Sequence, residues 1–302
     1  MAFPVVGANI NNQSDFNESM EELKNLAIAC ELEIAAVSVQ NLKSKNTAYY
    51  VGTGKVDEIR SLVDDNAAEV VVFNNELTPS QQRNLEKELD CKIIDRTSLI
   101  LEIFAKRAKS REAKLQVEVA RLQYILTRLV GSNESLGRQS GGVGTKNRGA
   151  GETKLELDRR KIEEKVSELN KELELLCNER QIQRRKRNKA ELPKIALVGY
   201  TNAGKSTLMN AMVELYKKSE NKKVLEKDML FATLDTSVRN ITPPDNKAFL
   251  LSDTVGFVSR LSHNLVKAFR STLEEVRGAD LLIHKVTTNG WNIIFIQGIG
   301  IN

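Results

Sequence analysis

Three observations make this an α/β chain built in three parts. Hydrophobic strands alternate with amphipathic helices over residues 1–105, which predicts a parallel α/β domain. Two heptad seams separated by a glycine-rich joint over residues 106–190 predict an antiparallel helical hairpin. A buried-type strand, a glycine loop and a helix follow one another at residues 194–213, the order found in a P-loop nucleotide domain, placed here at residues 191–284.

In the first part, residues 20–30 read as an amphipathic helix, 33–39 as a strand, 55–64 as a helix and 69–73 as a buried strand. Thr78, Pro79 and Gln81 have the spacing of a helix start: a hydroxyl cap, a proline in the first turn and a reciprocal amide. Residues 92–95 read as another strand, with Thr97 as the cap of the helix that follows. The glycines of residues 51–55 read as a simple turn before a helix, with an anion cradle as the alternative. Asp95 and Arg96 fall at a strand end, where open parallel sheets place ligands.

In the second part, Leu115, Val119, Leu122, Leu126 and Leu129 are spaced by 4, 3, 4 and 3. Leu155, Ile162, Leu169 and Leu176 repeat every seven, with Val166 and Leu173 between them. Both are coiled-coil seams, and the joint at 131–151 holds seven glycines together with Arg138, Lys146 and Arg148. A basic, glycine-rich hairpin tip suits entry into folded RNA, against the plainer reading of a linker. Residues 180–189 carry six basic groups and no acidic one, which attracts phosphate backbones or ends a solvated helix.

The composition sets outer bounds. The chain has 302 residues, 41% apolar and 28% charged, with a net charge of +5, enough for two or three domains with real cores. No apolar run approaches the roughly 20 residues that span a bilayer, and no export signal is visible, so a cytoplasmic monomer is expected. Cys30, Cys91 and Cys177 are too far apart for a metal motif and fit reduced thiols.

The third part carries the chemistry. Gly199, Tyr200, Thr201, Asn202, Ala203, Gly204, Lys205 and Ser206 complete a G-x-x-x-x-G-K-S loop. Its backbone N–H groups and the following helix N-terminus make an anion site for a nucleoside triphosphate. Lys205 supplies a point charge for the β- and γ-phosphates, and Ser206 a hydroxyl for Mg²⁺. Phe231, Ala232, Thr233, Leu234 and Asp235 follow a polar stretch that reads as a mobile loop, and Thr233 is the candidate second Mg²⁺ ligand. Asp253, Thr254, Val255 and Gly256 form a D-x-x-G segment after a hydrophobic strand. Asp253 is expected to hold Mg²⁺ through water, and the Gly256 N–H to meet the γ-phosphate. Phe257 comes next and cannot orient a nucleophilic water, so no catalytic side chain is assigned. Slow intrinsic hydrolysis stimulated by a partner is the expectation.

These residues resemble the HflX family of ribosome-associated GTPases. The resemblance is carried by YVGTGKVDE at 50–58, ELTPSQQRNL at 76–85, IDRT at 94–97, KLQV at 114–117, RSTLEEV at 270–276, and residues 141–160, 198–210, 231–235 and 253–257. It implies an N-terminal α/β domain, a hairpin approaching the large ribosomal subunit and its RNA, and a G domain exchanging GTP and GDP. It also implies hydrolysis stimulated by that subunit, and a role in rescuing or splitting stalled ribosomes. An ATP-dependent RNA-unwinding activity attributed to the N-terminal part of some members has no motif here that establishes it.

The resemblance stops near residue 284. No guanine-reading N-K-x-D occurs, and residues 285–302 read as a non-matching tail, as after a frameshift or premature stop. The G domain is therefore expected to be incomplete, with an exposed sheet edge, unless Asn289 and Gly290 turn a hairpin that covers it. The alternative function is a non-hydrolysing RNA- or ribosome-binding protein using residues 1–190.

Overall fold

A computed structural model describes residues 2–138, 148–188, 192–216, 231, 236–245, 247–259, 265, 276–288 and 291–298. The chain is mixed α/β and divides into two compact units, residues 1–103 with 119–168 and residues 104–118 with 169–302.

The first unit holds a four-stranded, wholly parallel sheet in the order β2-β1-β3-β4. The strands are β1 (Ala2–Ile10), β2 (Glu33–Leu42), β3 (Val70–Phe73) and β4 (Lys92–Asp95). The connecting helices are α1 (Phe16–Ala29), α2 (Thr53–Asp65) and α3 (Pro79–Leu89), and α4 (Arg96–Arg107) follows β4. One core joins Val6, Val71, Phe73 and Ile93 of the strands to Val56, Ile59 and Leu85 of the helices. The strand β1 is not evident in the sequence, because Pro4 and Gly7 interrupt its apolar run. The sheet admits the proline at a register shift between Phe3 and Pro4, before the pairing with β3 begins at Val5.

Local chemistry sets the helix starts. Thr78 accepts from the Gln81 N–H while the Gln81 side chain accepts from the Thr78 N–H, a complete capping box. Gly52 caps α2, and its own N–H donates to Gln40, so the glycines of 51–55 form a helix start. The cap of α4 differs from the expected Thr97. Asp95 Oδ1 accepts from the Ser98 N–H at 2.9 Å, because the residue before the helix, not one inside its first turn, faces that amide.

The helices α5 (Arg111–Arg138) and α6 (Arg148–Asn188) cover both heptad seams. Arg111 pairs with Glu172, and Glu112 with Arg180, so the start of α5 lies beside the second half of α6, as an antiparallel hairpin requires. The deepest stripe on α5 includes Ala113, Val117 and Ala120, residues too small to dominate a seam read by leucines.

In the second unit a five-stranded sheet has the order β6-β7-β5-β8-β9. Its strands are β5 (Lys194–Gly199), β6 (Ser237–Ile241), β7 (Phe249–Asp253), β8 (Leu281–Thr288) and β9 (Trp291–Gly298). The central three are parallel, and β6 and β9 run antiparallel at the two edges. Thr288 pairs with Trp291, so Asn289 and Gly290 are the two residues between the paired strands. The edge strand β9 leaves Ile294, Phe295 and Ile296 exposed at 47%, 55% and 66%. Helix α7 (Lys205–Leu215) packs Met209 and Val213 onto Leu197, Leu251 and Ile283.

Candidate nucleotide site

The loop between β5 and α7 lies at the carboxyl end of the middle strand, flanked by β7 and β8. That is the place where a parallel sheet leaves room for a ligand, and α7 starts there with its N-terminus. Gly199 leaves the strand at φ +147°, and a Cβ there would lie 2.2 Å from the Lys285 carbonyl oxygen. Only glycine fits. Asn202 at φ 60° and Gly204 at φ 76° complete the curl.

Lys205 is buried although it is the first residue of α7. Its ammonium donates to the carbonyls of Gly199 at 3.1 Å and Tyr200 at 2.7 Å, so it folds back across the loop. Burial pushes it down to about 8, with Asp253 opposing the shift and the like charge of Lys285 adding to it. The Ser206 hydroxyl donates to Asp253 Oδ2 at 2.6 Å, and Asp253 is fully buried at the end of β7. A hydroxyl beside a buried carboxylate at a helix N-terminus fits Mg²⁺, a cation held by few protein oxygens plus water and phosphate. Among the described residues no cluster of three or more His, Cys, Asp or Glu offers a fuller metal cage.

The D-x-x-G segment is fastened to the loop. Thr254 Oγ1 donates to the Leu197 carbonyl at 2.5 Å. The Thr201 N–H donates to Phe257 at 2.8 Å, and the Phe257 N–H to Gly199 at 3.0 Å. Gly256 packs so tightly that a Cβ would meet Thr201 Cα at 2.3 Å. Val255 is buried, while Phe257 is 43% exposed and offers no polar side-chain atom. The Tyr200 hydroxyl accepts from the Ser259 N–H at 2.8 Å.

Phe231 is the described residue of its candidate segment. Its N–H donates to Thr201 Oγ1 at 2.9 Å, and its buried ring meets Phe104 edge-on at 4.6 Å between centroids. Ala232, Thr233, Leu234 and Asp235 lie outside the described residues, as do residues 139–147 of the hairpin tip. Thr201 belongs to the loop that the sequence predicts, and its hydroxyl also accepts from Phe231. One participant escapes sequence reading: Lys285 sits in a strand far along the chain. Its only sequence signal is a charge after the apolar run Leu281-Leu282-Ile283.

Three family models match the chain: "GTP-binding GTPase N-terminal" over residues 17–105, "GTP-binding GTPase Middle Region" over 107–187 and "50S ribosome-binding GTPase" over 194–298. The chain is 48% identical to the GTPase HflX of Caldanaerobacter subterraneus subsp. tengcongensis, covering 89% of this chain and 61% of the relative. It is 44% identical to the GTPase HflX of Escherichia coli, covering 89% of this chain and 61% of that one. Among solved structures, a GTP-binding protein from Sulfolobus solfataricus in complex with GDP is 25% identical, with a TM-score of 0.49, covering 94% of this chain and 70% of the other. No helix among the described residues is long and apolar enough to cross a membrane.

Proposed function

Because the chain belongs to the HflX family of GTPases, we propose that it binds and hydrolyses GTP in association with the large ribosomal subunit. Its finer role in this reading is rescue or splitting of stalled ribosomes, as a cytoplasmic monomer. The observation that carries the proposal is the loop from Gly199 to Ser206 at the carboxyl end of the sheet, with Lys205 held by carbonyl oxygens and Ser206 against Asp253. Such a lysine exchanges weak carbonyl partners for phosphate oxygens when nucleotide enters.

In this reading, backbone N–H groups of residues 199–206 bind the phosphates, and Ser206, Thr233 and Asp253 are the residues that would hold Mg²⁺. Mg²⁺ held there would supply positive charge to offset the charge of the phosphates. Gly256 senses the γ-phosphate. Its segment is tied to the phosphate loop through the Phe257 backbone, which bonds to Thr201 and Gly199. No side chain acts as base, and Phe257 leaves water placement to the ribosomal partner.

The test is a titration of fluorescent GTP and ATP analogues with Mg²⁺, followed by turnover with large subunits. Saturable binding lost in Lys205→Ala, and turnover raised by subunits, is expected. A second reading is a non-hydrolysing RNA- or ribosome-binding protein using residues 1–190, favoured by the six basic groups at residues 180–189. Salt-dependent ribosome binding, indifferent to nucleotide and to Lys205→Ala, would replace the first reading by the second.

A further inference from the structure

Lys285 touches both glycines that frame the phosphate loop. It pairs with Gly199 across the parallel β5–β8 ladder, and its backbone carbonyl closes off the Gly199 Cα. Its side chain then runs along the loop, and the ammonium donates to the Gly204 carbonyl at 3.1 Å. A Cβ on Gly204 would come within 2.5 Å of that nitrogen. The side chain is half-buried, and among the described residues no carboxylate is paired with it.

Lys285 brings a second cation to a loop where Asp253, which offsets the charge of Lys205, already accepts from Ser206. It repels Lys205, whose ammonium lies at the other end of the same loop. Carbonyl oxygens satisfy the hydrogen-bonding of both ammonium groups and neutralise neither charge. The positive charge that Asp253 leaves over is offset when a polyanion occupies the curl between them. We infer that Lys285 is a second cationic group of the phosphate site, holding the Gly204 turn in place and adding attraction for the phosphates of a bound nucleotide. The inference rests on the nucleotide-binding reading above and extends it to a residue outside the loop pattern.

Lys285 is a positioning residue, since its hydrogen bond goes to the loop. Charge and packing are separated by salt dependence and by the conservative variant. The full chain is titrated with GDP and with GTP, each with Mg²⁺, at about 0.05 M and about 0.5 M salt. Wild type is compared with Lys285→Met, Lys285→Arg and Lys205→Ala, and thermal melting follows folding. Lys285→Met is expected to weaken both nucleotides about tenfold at low salt, with the gap narrowing at high salt as screening removes the charge term. Lys285→Arg is expected to keep affinity within about twofold. Wild-type affinity in Lys285→Met at both salts overturns the inference. So does an equal loss at both salts shared by Lys285→Arg, which would mark a packing role. If wild type binds neither nucleotide, or Lys205→Ala changes nothing, the phosphate-loop reading itself fails and the inference falls with it.

Discussion

The two sheets place polar residues at the same topological position and use them in opposite ways. At the carboxyl end of the N-terminal sheet, charges are matched to charges. Asp95 is buried and pairs with Arg128, the Tyr124 hydroxyl donates to Asp95 at 2.8 Å, and Arg128 also reaches the Leu77 carbonyl. Arg96 pairs with Glu22 and donates to Asn74 at 3.0 Å. At the carboxyl end of the second sheet, Lys205 and Lys285 are held by backbone carbonyls. At the second sheet Asp253 offsets part of the charge of Lys205, and among the described residues no carboxylate is paired with Lys285, so its strand ends keep a surplus of positive charge. Where charge is balanced internally, the same ends become a clamp.

The largest effect expected from breaking this contrast is in the clamp. Arg128→Met leaves the Asp95 carboxylate buried without its cation, which costs about 3–5 kcal/mol. Chemical denaturation should show the transition of the N-terminal unit moved to lower denaturant, while nucleotide titrations of the folded protein stay unchanged. Gly199→Ala comes next. The φ of +147° and the Lys285 carbonyl 2.2 Å from the new Cβ force β5 and β8 apart. The cost is about 2 kcal/mol or more, with nucleotide binding lost.

A third prediction sharpens the comparison through pH. In the unfolded chain Lys205 keeps its proton up to the ordinary 10.5, whereas in the folded chain it releases it near 8. The unfolded state therefore binds more protons between these values, and this group's contribution makes the nucleotide-free protein more stable as pH rises across that window. Below 8 the penalty is fully present. Melting curves of wild type and Lys205→Met should differ most below pH 8 and converge above 10, and nucleotide affinity of wild type should fall as pH rises through the window. The smallest expected effect is Thr78→Ala. Removing one half of a capping box costs about 1 kcal/mol in the N-terminal unit, leaving the nucleotide site untouched.

Legibility differs between the regions for physical reasons. The loop at 199–206 can be read because its chemistry dictates residue types at fixed spacing, and the structure sets it between a strand and a helix. The α/β class is legible from apolar periodicity. The strand β1 is hidden, because its burial between β2 and β3 overrides a proline and a glycine. The Asp95 clamp joins residues 29 and 33 positions apart, and no local rule encodes such a meeting. Lys285 lies 81 positions from the carbonyl it reaches, so its part in the loop emerges only from strand order. Of the two readings of the sheet edge, the structure has the hairpin: β9 pairs along β8, and β9 in turn leaves Ile294, Phe295 and Ile296 exposed.

That hairpin has a kinetic meaning. The β8–β9 pairing closes over two residues, whereas β5 meets β7 only after more than fifty intervening residues are brought in. Hairpins form in about 1–10 μs, and long loops close later. A strand bearing Ile293, Ile294, Phe295 and Ile296 is thus assembled while the rest of its sheet is still open. Its outer edge is a template for a second chain from the first moments of folding. Refolding yield should therefore fall as protein concentration rises, and Phe295→Lys, which puts a charge on that edge, should restore it.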